Sequence, residues 1–200
     1  MFFDMTFIPN QHAELERCGA RDMASWSRRF LEADLAAVRF VSRSARSTTG
    51  RILAVVISKL GNGWIYLILG AIVFLCAGRE ALPVVLLAGL NAALLHCLFP
   101  HIKRRIGRPR PFHVDPRLPS LLKILDEHSF PSGHTMTLSG VLVPIVIAWP
   151  SIAMSAAALV LSMAWSRIAT AHHYPSDVVV GAALGVAMAY PLSTLFFAMW

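Results

Sequence analysis

Long apolar runs separated by short polar breaks organise most of this chain. The runs are Trp64–Ala77, Ala81–Phe99, Thr135–Trp149, Ile152–Trp165 and Val178–Trp200. A helix needs about 20 apolar residues to cross a bilayer, with roughly 17 as a floor. The last run reaches that length outright, and the second does so with one Asn. The other three reach it only with polar ends or flanking residues. The breaks Arg79-Glu80 and Pro150-Ser151 are so short that the runs on either side are predicted to be antiparallel neighbours. Ahead of the runs, residues 1–50 are polar and mixed in charge. Within Phe30–Arg46, the positions Leu31, Leu35, Val38 and Val41 recur at helical spacing between charges. That pattern predicts an amphipathic helix, lying at a membrane interface or packed on the rest of the chain. Ser47-Thr48-Thr49-Gly50 breaks it, Arg51–Leu60 reads as a short apolar helix, and Gly61-Asn62-Gly63 is a turn signal. Ile52–Ala77 is either one long span or a short helix followed by a span. The pattern predicts an all-α, integral-membrane helical bundle of five to six spans. An N-terminal region, 1–50, carries the amphipathic helix, and 51–200 forms the embedded core.

Composition agrees. Of 200 residues, 56% are hydrophobic and 14% charged, against about 25% charged in a soluble domain. Mean hydropathy is +0.60. The net charge of +7 raises nucleic acid as a partner. The cations, however, concentrate in Arg17–Lys59 and Lys103–Lys123, beside apolar runs, without the pattern of a DNA- or RNA-binding module. Basic residues beside spans read instead as topology signals and contacts to anionic lipid headgroups. Membrane lipids are therefore the expected partner, and nucleic acid is not. Cys18, Cys76 and Cys97 lack CxxC or zinc-ligand spacing, and Cys76 and Cys97 read as small core residues within apolar runs. The opening MFFDMTFIPN has no basic n-region or clean apolar h-region, so no signal peptide is expected. Gly181 and Gly185 form a GxxxG in the last run, which favours close helix contact, here within the chain rather than between copies.

The chemistry gathers in three stretches at the edges of apolar runs: Lys103 to Pro111 (KRRIGRPRP), Phe130 to His134 (FPSGH) and Ser166 to Asp177 (SRIATAHHYPSD). The first belongs to a long loop from Pro100 to Pro131. Pro109, Pro111, Pro116 and Pro119 prevent that loop from being one helix, and loops of this length usually serve function or are disordered. A phosphoryl group carries charge that must be matched, and its transfer is catalysed mainly by positioning and electrostatics. Lys103, Arg110 and Arg167 are the candidate cations, arginine because its fork binds phosphate oxygens in pairs. Arg104, Arg105 and Arg108 read as the ordinary basic flank of a span. Pro131-Ser132-Gly133-His134 opens a helix whose free N–H groups suit an anion, with Gly133 allowing close approach. His134 is placed to protonate a leaving oxygen. Pro175 starts the last helix and puts Asp177 in its first turn. There a carboxylate can orient His173 by one ring nitrogen and leave the other free to attack phosphorus. His172, one residue away, is expected to point elsewhere. No HExxH or paired-acid pattern accompanies the many histidines, so no metal or other cofactor is expected.

The spacing Lys103-x6-Arg110-Pro111, then Pro131-Ser132-Gly133-His134, then Ser166-Arg167-x5-His173-x3-Asp177 resembles the three-part signature of the type 2 phosphatidic acid phosphatases. Their superfamily also holds undecaprenyl diphosphate phosphatases, glucose-6-phosphatase and the vanadium haloperoxidases. The resemblance implies usually six membrane helices and metal-independent hydrolysis of a lipid phosphate or diphosphate. By position, it implies His173 as the nucleophile forming a phosphohistidine, Asp177 as its orienter and His134 as general acid. Lys103, Arg110, Ser132, Gly133 and Arg167 would hold the phosphoryl oxygens. Candidate substrates are undecaprenyl diphosphate, phosphatidylglycerol phosphate and phosphatidic acid. Rival functions are a haloperoxidase-like oxidase using vanadate and a lipid-binding or transport protein with a degenerate site. The expected location is a bacterial-type inner membrane, crossed several times, with the site on the periplasmic or outer face. The arginine distribution with five spans points instead to the cytoplasm.

Overall fold

The computed structural model describes residues 28–118, 120–122 and 126–199. The expectations for the first 27 residues, Cys18 and the opening segment among them, lie outside this range. Helices account for the fold. They are α1 over 28–42, then α2 (Thr48–Leu60), α3 (Trp64–Ala77), α4 (Ala81–Ile106) and the short α5 (Pro111–Val114). These are followed by α6 (Gly133–Ala148), α7 (Ala153–Ala169) and α8 (Pro175–Met199). Among the described residues the sole β pairing is an isolated bridge between Pro109 and His128.

Local chemistry sets the boundaries. Ser47 caps α2, its side-chain oxygen accepting from the Gly50 N–H at 3.0 Å, as a good N-cap does. Gly61-Asn62-Gly63 then breaks the chain, so Ile52–Ala77 is two helices and not one. α3 ends at Gly78, whose φ of 61° favours glycine, and α4 follows after a single turn. α4 runs through Pro100 to Ile106, seven residues beyond the apolar run and six beyond the expected start of the loop. The ring removes one N–H bond within the helix, and the remaining ladder carries the helix on to a left-handed Gly107. The Gly107 N–H closes on the Lys103 carbonyl at 2.9 Å, which is the αL C-cap geometry. α7 likewise outruns its apolar stretch and carries Ser166 and Arg167 inside its last turn.

α6 is the hub. It is buried nearly all round, as an apolar helix at the centre of a bundle must be, and packs chiefly on α8 and α4, then on α7. The α8 contact needs glycine. A Cβ on Gly185 would fall 2.1 Å from the Met136 carbonyl oxygen, and one on Gly181 would fall 2.7 Å from that of Ser132. The GxxxG therefore packs within the chain. α2 lies on α7, where the Ser166 hydroxyl donates to the Ala54 carbonyl at 2.6 Å. Leu35 and Val38 of α1 bury against Leu118, Ala171 and Tyr174, whereas Phe30 and Phe40 of the same helix stay exposed.

Three stretches of the described residues are long and apolar enough to cross a membrane: Trp64–Ile106, Pro150–Ala169 and Pro175–Met199. The first contains both α3 and α4. At 1.5 Å per residue, α3 and α6 span only about 21 and 24 Å, short of the roughly 30 Å hydrocarbon core. α3 has no buried residue at all. Its exterior, with Leu67, Ile72 and Leu75 exposed, is apolar where a soluble helix would be charged. Cys76 and Cys97, expected in the core, are exposed on these helix surfaces, since their runs turn much of their circumference outward.

Candidate active site

Chain direction brings four helix ends together: the C-termini of α4 and α7 and the N-termini of α6 and α8. The Ser132 N–H donates to the Asp177 carbonyl at 3.0 Å, and the Thr135 hydroxyl lies 3.1 Å from the Ser132 carbonyl and 3.3 Å from that of Val178. These bonds fix the start of α6 to the first turn of α8. Between the helix ends lies a cavity of about 1020 Å³, lined by Lys103, Arg110, Gly133, His134, Arg167 and His173 among others. Six of the eight residues singled out in the sequence thus face one space. Ser132 and Asp177 are fully buried directly behind it.

The three cations are all inside the protein. The Lys103 ammonium donates to both carboxylate oxygens of Asp126, at 3.0 and 2.9 Å, and to the His128 carbonyl at 3.2 Å. Arg110 donates through Nη2 to the same carboxylate at 2.8 Å, through Nε to the Asp126 carbonyl at 2.9 Å and through Nη1 to the His172 carbonyl at 2.8 Å. Burial pushes the Asp126 carboxyl upward, but Lys103 and Arg110 outweigh it and leave its pKa below the usual value. One carboxylate therefore occupies the two cations that α4 and the following loop contribute. Among the described residues Arg167 forms no ion pair with a carboxylate. Its Nη1 donates to the Ser58 hydroxyl of α2.

Among the described residues, three buried polar atoms of this site lack a hydrogen-bond partner: Ser132 Oγ, Arg167 Nε and His173 Nδ1. Each such atom costs about 1–3 kcal/mol. Ser132 stands at the N-cap position of α6 without using its side chain as a cap, and Pro131 precedes the helix rather than filling its first turn. The hydroxyl, a capping group by type, is therefore not spent on the helix.

His173 sits in the turn between α7 and α8. Ala171 adopts φ 58° there, a left-handed conformation costing an L-residue roughly 1–2 kcal/mol. This lets the His172 and His173 N–H groups both close on the Arg167 carbonyl at 3.2 Å. His173 Nδ1 is 3.6 Å from Asp177 Oδ2, adjacent but beyond hydrogen-bond length. Burial first, and then the Arg167, Arg110 and Lys103 charges, hold the His173 imidazole well below the usual histidine range, so the ring is neutral. His172 also lines the cavity, against expectation, because the backbone here is a turn and not a helical end that would separate neighbours. Its Nε2 lies 3.2 Å from the Ser120 hydroxyl, and burial, with Arg167 and Arg110, pushes its pKa down to about 2. Across the cavity, His134 Nε2 is 2.9 Å from Asn62 Oδ1. Asparagine's oxygen accepts, so that nitrogen carries the proton.

Four participants escaped the reading of the sequence. Asn62 registered only as part of a turn. Asp126 stands in the proline-rich loop, with Glu127 its acidic neighbour. Arg108, read as a basic flank, donates to Asp177 Oδ1 at 2.6 Å. Asp34 of α1 accepts from Arg108 at 2.7 Å. One signal was available: Asp34 falls three residues after Leu31 and four before Val38, on the apolar stripe, where a charge needs a buried partner.

The helical core and its buried cationic cavity, with a histidine–carboxylate pair at the wall, define a protein that can hold a tetrahedral oxyanion beside a neutral imidazole. The chain belongs to the PAP2 superfamily, whose model matches residues 80–200, as the three stretches implied. The decaprenylphosphoryl-5-phosphoribose phosphatase of Mycobacterium tuberculosis is 37% identical over 134 residues, covering 62% of this chain and 66% of that protein. The lipid A 1-phosphatase of Rhizobium etli is 31% identical over 112 residues, covering 54% of this chain and 45% of the relative. The chain thus spans just under two thirds of the first relative and under half of the second. In fold it is similar to a transmembrane PAP2-type phosphatidylglycerolphosphate phosphatase from Bacillus subtilis (TM-score 0.63, 23% identity, 85% of this chain and 87% of that one). It is also similar to LpxE from Aquifex aeolicus (TM-score 0.59, 24% identity, 80% and 93%).

Proposed function

We propose that this protein is an integral-membrane phosphatase that removes the terminal phosphate from a lipid phosphate or diphosphate through a phosphohistidine at His173. The observation that carries the reading is the convergence of three buried cations with His134 and His173 on one cavity, with Arg167 Nε, His173 Nδ1 and, behind the wall, Ser132 Oγ left unpartnered among the described residues. A phosphoryl group supplies acceptors for the donors among these atoms, and its charge offsets the cations. Lys103, Arg110 and Arg167 bind its oxygens, with Ser132 and the N-terminus of α6 at Gly133 completing the cradle. Asp177 closes the remaining few tenths of an ångström to take the His173 Nδ1 proton as a hydrogen bond. The Nε2 lone pair then attacks phosphorus, the bond to the lipid oxygen breaks, and His134 gives that oxygen a proton. In the second half, water attacks the phosphohistidine and yields its proton to His134. The P–N bond breaks and inorganic phosphate leaves.

The activities of the relatives support a phosphate carried on a lipid, and the apolar cavity wall at Tyr66, Ala92, Ala93 and Phe99 suits the lipid portion. Undecaprenyl diphosphate, phosphatidylglycerol phosphate and phosphatidic acid are the substrates to try. The proposed setting is a bacterial-type inner membrane with five to six crossings and the site on the periplasmic face, where carrier lipids are recycled. Purified protein should release phosphate from at least one of these lipids in the presence of EDTA, with orthovanadate inhibiting and His173→Ala abolishing release. Phosphate release from none of them, or strict dependence on Mg²⁺, overturns the proposal.

A further inference from the structure

The residues matched to the superfamily begin at 80, so α1 lies outside them, yet α1 reaches the residues that hold Asp177 behind the site. Asp34 is 7% exposed. Its carboxylate accepts from Arg108 Nη2 at 2.7 Å, from the Ser176 N–H at 3.2 Å and from the Ser176 hydroxyl. Arg108 spends its other arm on Asp177 Oδ1 at 2.6 Å and on the Ser176 hydroxyl at 2.7 Å. The guanidinium lies over the Tyr174 ring, 3.8 Å from its centroid. Asp177 Oδ2 in turn accepts from the Tyr174 N–H at 2.9 Å and faces His173. A chain of hydrogen bonds therefore runs from α1 through Arg108 to Asp177, whose Oδ2 stands 3.6 Å from His173 Nδ1.

We propose that Asp34 is a positioning residue for the reaction described above, acting through Arg108 on Asp177. The inference rests on that reading of His173 and Asp177. Stability alone gives little reason for a charge at position 34. It falls on the apolar stripe that buries Leu35 and Val38, and a buried ion pair is seldom more stabilising than a well-packed apolar residue. What the charge adds is placement. Arg108 has two arms and two carboxylates to hold, and Asp34 fixes the arm that does not touch Asp177. The same carboxylate accepts from a backbone N–H in the first turn of α8, the turn that carries Asp177. With Asp34 neutral, Arg108 is free to rotate and that turn is held less firmly. The carboxylate then misses the short final approach to His173, and misplacements of this size are felt strongly in turnover. Asp34 touches no phosphate, so substrate binding should be spared.

The test is steady-state hydrolysis of p-nitrophenyl phosphate by the full chain in detergent micelles, comparing Asp34→Asn, Arg108→Gln, the double variant and Leu35→Ala. Asp34→Asn should lower kcat about tenfold with KM nearly unchanged, the pattern of an interaction made only in the transition state. Arg108→Gln should lower kcat further. The double variant should lose no more than Arg108→Gln alone, since both act through one carboxylate, whereas independent damage multiplies. Leu35→Ala, which loosens α1 without touching the chain of bonds, should lower Tm and leave kcat within about twofold of wild type. Multiplicative losses in the double variant, or wild-type kcat in Asp34→Asn, overturn the positioning role alone. An equal loss of kcat in Leu35→Ala also overturns it, by showing that α1 matters only as packing. If the wild-type protein hydrolyses no phosphate ester, the proposed function falls and the positioning role falls with it.

Discussion

The two ends of the helical bundle use the same materials differently. At one end the turns Gly78–Glu80 and Pro150–Ile152 join α3 to α4 and α6 to α7. Their charges, Arg79 and Glu80, are exposed and bear no burial cost. At the other end, α4, α6, α7 and α8 meet around Lys103, Arg110, Arg167, His173 and Asp177, every one of them buried. Burying an ion costs several kcal/mol even after relaxation, so nothing in helix packing asks for this. The first end shows how this chain joins helices when only connection is required. The second departs from that solution at a steep energetic cost, and three of its polar atoms have no partner among the described residues. The difference marks where the chain does chemistry.

The contrast can be sharpened by mutation. The largest of these effects is expected at His134. A general acid contributes about 10²–10⁴-fold when the leaving oxygen is basic. His134→Ala should therefore lose that much on a phospholipid monoester and far less on p-nitrophenyl phosphate. Equal losses on both would make His134 a phosphate ligand instead. Next comes Arg167→Gln, read in the pH profile of kcat/KM. Arg167 is the leading charge holding the His173 pKa down. A lowered pKa keeps the ring neutral, hence nucleophilic, at pH values where an ordinary histidine protonates. Removing that charge raises the pKa, so the acid limb of the profile should move to higher pH. An unmoved limb would show that His173 does not govern it.

A smaller change, of opposite sign, is expected at Asp126. A phosphoryl group must take the Lys103 and Arg110 bonds that Asp126 now holds. Asp126→Ala should bind inorganic phosphate about tenfold more tightly, near the low end of one charge-assisted hydrogen bond, measured as product inhibition. Weaker binding would show that Asp126 shapes the pocket rather than competing for it. At the far end, Arg79→Gln and Glu80→Gln should leave kcat within about twofold and stability within about 0.5 kcal/mol. A large loss there would erase the contrast between the ends.

The sequence made the active end legible, and for a physical reason. Phosphate binding, histidine attack and carboxylate orientation each demand a residue type at a fixed place on a helix end, and such demands leave spaced motifs. Helix ends were less legible, because hydrophobicity stops where polar function begins. α4 and α7 continue past their apolar runs, so Lys103 and Arg167 sit on helices that the pattern had already closed. Supporting residues were harder still. Asn62, Arg108 and Asp126 act through contacts distant in sequence, and a turn signal or a basic flank describes them adequately until the chain is folded. Asp34 alone left a local trace, a charge on an apolar stripe, and it reads as support only once Arg108 is beside it.

The central claim is that His173 becomes covalently phosphorylated. Rapid quenching of the purified protein during turnover of a phosphorus-labelled lipid phosphate, followed by peptide mapping, tests it directly. The account predicts an acid-labile, base-stable phosphoryl group on the peptide carrying His173, absent from His173→Asn. An active wild-type enzyme that never carries label, or carries it on another residue, would contradict the account.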